Sequence, residues 1–83
     1  PPPTRINIGP PNLDGYCQFN GMLGATLFGS TAQDWWCYSD EWNYAIGAQE
    51  MESACLYTYG NNTWFPSYAN LNDPYSWGCW RDA

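Results

Sequence analysis

The sequence predicts a small α+β domain: two short helices disulfide-linked to a small antiparallel sheet, with an extended arm at the N-terminus. Three observations lead there. Four cysteines and no histidine in 83 residues point to two disulfides rather than a zinc site. Short helical patterns closed by glycine alternate with short aromatic runs of strand character. Past Asn12 the chain reads as two related halves, which predicts an internal pseudo-repeat.

Residues 1–12 form the arm. Proline clusters bracket Thr4-Arg5-Ile6-Asn7-Ile8, and in an extended chain Ile6 and Ile8 fall on one side, Arg5 and Asn7 on the other. The prolines stiffen the segment and lower the entropy lost on docking. Its alternation suits a strand added to an exposed sheet edge, isoleucines inward. That edge belongs either to the arm's own domain or to the next subunit.

Residues 13–83 form the disulfide-bonded module. Asn12 is the expected N-cap of the first helix and Gly21 the residue just past its end. Strands follow at Ala25–Phe28, Trp35–Tyr38 and Glu41–Ile46. Ser39-Asp40 turns a hairpin, because Trp42, Tyr44 and Ile46 alternate cleanly after it. In the second helix Met51, Cys55 and either Thr58 or Tyr59 share a face. Glu50 and Glu52 sit near its start, where the macrodipole favours acids, and Gly60 ends it. Trp64–Tyr68 and Trp77–Trp80 are the last strands.

The halves match at chemically specific points. Leu13 and Met51 each stand one helical turn before a cysteine, a glycine follows, and each half closes on Trp-x-Cys, with Trp35 matching Trp77. The repeat predicts Cys17–Cys37 and Cys55–Cys79, each helix tied to its own strand. The rival is Cys17–Cys55 with Cys37–Cys79, across a pseudo-two-fold axis; sequence alone leaves both open. Each loop so closed contributes roughly 3 kcal/mol on the chain-entropy model, a large share for so small a domain.

The series "LDGYC", "GATL", "DWWC", "SAC", "YG" and "NDPYSWGC" resembles a small secreted Cys/Trp-rich module of actinobacteria and other bacteria. The resemblance spans Leu13 to Trp80 and omits the arm. It implies export and cross-linking, and it supplies no catalytic residues.

Charge and inventory narrow the function. The net charge is −6, with Arg5 and Arg81 the only cations. Nucleic acid and an anionic membrane surface both require a cationic footprint, so neither is an expected partner. No apolar run reaches the ~20 residues of a membrane span. With no histidine or lysine as general base, nucleophile–base catalysis lacks its parts. Asp34, Asp40, Glu41, Glu50 and Glu52 are candidate acids for a glycosidase pair, which needs a cleft that domains of this size seldom build. No calcium loop, metal site or cofactor site is expected. The reading is non-catalytic.

Aromatic residues are the strongest signal: six Trp, seven Tyr and three Phe. Trp35 and Trp77, beside cysteines, are expected in the core. Trp36, Trp42, Tyr44, Trp64 and Trp80 are expected on a contact surface, since exposed large rings mark interaction sites. The first expectation is an extracellular structural module that self-associates through Arg5, Ile6, Asn7 and Ile8 and these rings. An arm-to-edge contact between copies is heterologous and builds a filament or surface layer. The alternative is a carbohydrate-binding module facing a cell-wall or environmental glycan. Asn61-Asn62-Thr63 makes Asn61 a candidate N-glycosylation acceptor on a surface loop.

Overall fold

The computed structural model describes residues 4–83; Pro1–Pro3, the first proline cluster of the arm, lie outside the described residues. The elements are β1 (Arg5–Gly9), α1 (Leu13–Phe19), β2 (Gly24–Leu27), β3 (Trp35–Tyr38), β4 (Asn43–Ala45), α2 (Ala48–Tyr59), β5 (Phe65–Tyr68) and β6 (Trp77–Asp82). The domain is α+β, as the sequence predicts. Its strands form two three-stranded antiparallel sheets, in the orders β2-β3-β4 and β1-β6-β5.

Local chemistry sets the helix limits. Asn12 caps α1, its side chain accepting the Gly15 N–H at 3.0 Å. Gly21 and Gly60 leave the two helices at φ +84° and +95°, a region that residues with a Cβ rarely adopt. In α2 the buried face is Met51, Ala54 and Cys55, with Glu50 in the first turn. The β3–β4 hairpin turns where Ser39 and Trp42 exchange bonds: Ser39 N–H donates to Trp42 O at 3.0 Å, and Ser39 Oγ accepts the Trp42 N–H.

Both disulfides follow the repeat. Cys17 of α1 bonds Cys37 of β3, and Cys55 of α2 bonds Cys79 of β6. Each joins a helix to the middle strand of one sheet, so each sheet has a covered, cysteine-bearing face and an open one. The two tied strands, β3 and β6, lie in different sheets.

The repeat is larger than the cysteines alone reveal. Each half is a β-α-β-β unit: β1-α1-β2-β3, then β4-α2-β5-β6. The first strand of each unit pairs with the last strand of the other, β1 with β6 and β4 with β3. The two units therefore exchange their leading strands. Ile8-Gly9 and Ile46-Gly47, at the ends of those strands, stand as far apart along the chain as Cys17 and Cys55.

The exchanged strands are not equal. Ile46 is 4 % exposed and its N–H donates to Trp35 O at 2.9 Å. Ile8 is 38 % exposed. The ladder slips between Asn7 and Gly9, so Ile8 is the extra residue of a bulge and leaves the face that Ile6 occupies. The expected alternation of two inward isoleucines thus fails at its second member. β1 lies on its own chain's β6, and Thr4 O accepts the Ala83 N–H at 2.9 Å to extend the ladder.

The core gathers Leu13, Met22, Ile46, Met51 and Ala54 around Cys17–Cys37, and Trp64 packs beside Cys55–Cys79. Replacing Cys55 and Cys79 together by alanine should cost about 3 kcal/mol or more, since a loop is released and a buried pair is lost. In a domain this size each kcal/mol shifts the melting temperature by about 4–8 °C. Thermal unfolding followed by circular dichroism should show a fall of more than about 10 °C.

Candidate functional site

The two units meet through a reciprocal pair of hydrogen bonds. Trp35 Nε1–H donates to Pro74 O at 2.8 Å, and Trp77 Nε1–H donates to Ala32 O at 2.6 Å. The acceptors are separated along the chain by the same interval as the donors, so each tryptophan of the repeat grips the equivalent loop of the other unit. Ala32 N–H also donates to Leu71 O at 2.8 Å, joining the two loops directly. Trp35 and Trp77 are half-buried and pack against the core, near the place the sequence assigns them.

An open groove of about 650 Å³ runs along this seam. Pro10, Asp14, Thr26 and Trp35 line it from the first unit, Tyr75 and Trp77 from the second. Asp14 is positioned by its own bond, Oδ1 accepting the Ala25 N–H on the free edge of β2 at 2.7 Å. Its second oxygen has no partner among the described residues. Tyr75 stands at the tip of the turn Asp73-Pro74-Tyr75-Ser76, closed by Ser76 N–H donating to Asp73 O at 3.1 Å. Its ring meets Trp35 edge-on, centroids 5.8 Å apart, and it is 75 % exposed. The anchored Pro74 carbonyl thus holds an exposed ring over a groove edged with polar groups.

The five rings expected on a contact surface do not share one. Trp64 is buried, 4 % exposed, with Nε1–H donating to Gly60 O at 2.9 Å and its ring against Tyr59. It belongs to the core because the chain turns back at Gly60 and drops Trp64 onto the Cys55–Cys79 bond. Trp42 is exposed and packs on half-buried Tyr44 at the β3–β4 turn. Burial pushes the Tyr44 phenol up, with Tyr16 and Glu50 adding to the effect. Trp36 lies with Phe28 on the open face of the first sheet. Trp80 lies on the open face of the second, between Phe65 and Asn7.

The arm residues also separate. Arg5 extends over the Phe65 ring, 3.5 Å from its centroid, and meets Asp82 at 3.4 Å. Both partners of that ion pair are half-exposed, so it adds little. Asn7 Oδ1 accepts the Gly9 N–H inside the bulge. Asn61 lies exposed in the bend after Gly60, the surface loop expected of it.

The candidate acids are dispersed. Asp34 is engaged by Thr31, which donates both its backbone N–H at 2.9 Å and its hydroxyl at 2.8 Å to Oδ2. Asp40 and Glu41 lie in the hairpin turn, and Glu50 and Glu52 on α2. Among the described residues no cluster of three His, Cys, Asp or Glu could hold a metal ion, and no helix is long and apolar enough to cross a membrane.

Tyr75 and the groove escape a reading based on aromatic counts. A signal was present, because Asp and Pro at the first two turn positions place the next residue at an exposed tip.

The fold is a disulfide-stapled α+β domain of two β-α-β-β units with exchanged leading strands. No protein-family model, curated protein or solved structure matches the chain. The resemblance to the small secreted module rests on the motifs quoted above.

Two outcomes test this description. Trp64→Ala should cost about 3–5 kcal/mol by emptying a buried aromatic site, whereas Trp42→Ala should leave the melting temperature nearly unchanged. The bonds from Thr31, its backbone N–H first, hold the Asp34 carboxyl below its ordinary 3.8. A folded value below the unfolded one means the stabilisation is complete above the unfolded value and lost as pH falls through the folded one. The Thr31 amide, followed by NMR, should titrate with a midpoint below 3.8. Asp34→Asn should abolish that transition.

Proposed function

We propose that the protein is an exported, non-catalytic binding module that holds a neutral glycan in the groove between its two units. One observation carries the reading: Tyr75, largely exposed, stands over a groove whose rim includes Asp14. A sugar has an apolar C–H face and a polar rim, so it pairs with a ring below and hydrogen-bonding groups beside it. The free oxygen of Asp14 is suited to the rim, and the rings of Trp35 and Tyr75 to the face. A net charge of −6 disfavours acidic polymers and favours neutral ones. Two disulfides accord with an oxidising, extracellular setting.

The filament reading takes second place: Arg5–Gly9 is paired within its own chain, so an arm from another copy must first displace it.

Retention on insoluble neutral polysaccharides, with the bound fraction measured against polymer concentration, is the deciding experiment. Tyr75→Ala should weaken retention by about tenfold, the loss of roughly 1.4 kcal/mol, with no change in melting temperature. Trp42→Ala removes an exposed ring outside the groove and should bind as the parent does. Equal loss in both variants would mean general stickiness of exposed rings. No retention of the parent on any neutral polymer would remove the glycan reading.

A further inference from the structure

The second sheet is completed by a strand that no disulfide ties there. β4 enters its sheet across the short Ser39–Trp42 turn, directly from the strand it pairs with. β1 reaches β6 from the other end of the chain, and both disulfides lie beyond it. Its backbone ladder to β6 is long, but its side chains anchor it weakly. Ile6 is half-buried, Ile8 is pushed outward by the bulge, and the Arg5–Asp82 ion pair is exposed.

Every contact β1 makes with β6 and Phe65 is available equally to the same segment of a second copy. Only the hinge distinguishes the two arrangements. Gly9 sits at φ +149°, and a Cβ there would meet the Tyr59 hydroxyl. Tyr59 O–H donates to Pro10 O at 2.8 Å, and Asn12 N–H donates to Thr58 Oγ1 at 2.8 Å. Between these anchors Pro10-Pro11 resists a tight reversal and favours an extended path. The hinge of the closed form thus rests on one glycine conformation and two hydrogen bonds.

We propose that the β6 edge is an exchangeable acceptor and that its intermolecular occupant is Arg5–Gly9 of a second copy, given and received reciprocally in a two-fold dimer. This does not rest on the glycan reading. The fold already contains the same exchange between its own two units, so the geometry is compatible with this chain's strands. Exchange between copies competes with an intramolecular strand on a short tether, whose effective concentration is on the order of millimolar. Dimer should therefore appear as protein concentration approaches that range, and sooner when the hinge is disfavoured.

The test uses two full-length variants, Arg5→Cys and Asp82→Cys, at positions that face each other across β1 and β6. Each is mixed, equilibrated at high concentration and oxidised mildly, and products are resolved by non-reducing electrophoresis and mass spectrometry. A covalent heterodimer well above that formed by Arg5→Cys with Asp40→Cys, a distant turn position, is the expected result. Gly9→Ala, which cannot hold the closed hinge comfortably, should raise the dimer fraction of the otherwise unmodified chain in size-exclusion chromatography with light scattering. The proposal is overturned if the heterodimer stays at the control level and Gly9→Ala remains a monomer that merely melts lower. A ladder of larger covalent species would overturn two-fold closure in favour of an open chain.

Discussion

The centre of each half of this protein is a disulfide. Met51 and the four half-cystines are the largest side chains buried completely, and the aliphatic residues only surround them. A domain with so small a core gains a limited amount from apolar burial, and the covalent ties restrict the unfolded chain instead. Because each tie runs from a helix to the middle strand of a sheet, it also settles which face of that sheet is covered. The opposite faces are left to Trp36 with Phe28 and to Trp80 with Phe65. Rings outside the core follow from the position of the cysteines.

The second organising feature is mutual incompleteness. Neither β-α-β-β unit has a finished sheet until the other supplies a strand, and each long loop accepts a bond from the other unit's tryptophan. Such crossing makes the halves stabilise one another, so the domain should behave as one cooperative unit despite its two centres. The two crossings differ in how they are connected. Ile46, reached through a tight hairpin, is buried, whereas Ile8 lies in a bulge and is partly exposed.

The groove is a consequence of the same crossing. It opens where the loops of the two units are pinned together, and the bond that pins one of them is the bond that orients Tyr75. Rigid support beneath an exposed ring lowers the entropy a ligand must overcome on binding. Asp14 is supported likewise, one oxygen fixed to the β2 edge and the other free.

Local signals in the chain determined the elements. Asn12, Gly21 and Gly60 mark helix ends because capping and positive φ are properties of single residues and their neighbours. The spacing shared by the two halves pointed to the cysteine pairing, and the structure decided it against the cross-axis alternative. Arg5–Ile8 read as a strand for the same local reason. What pairs with that strand, and that a bulge turns Ile8 outward, depended on the path of β6, which lies at the far end of the chain. Trp64 and Tyr75 show the same division. Both are aromatic and both lie at or beside a turn, yet one descends onto a disulfide and the other rises over a groove. Composition cannot separate them, because burial depends on which distant backbone lies beneath a ring. Only the tertiary structure brings the two units together and decides it.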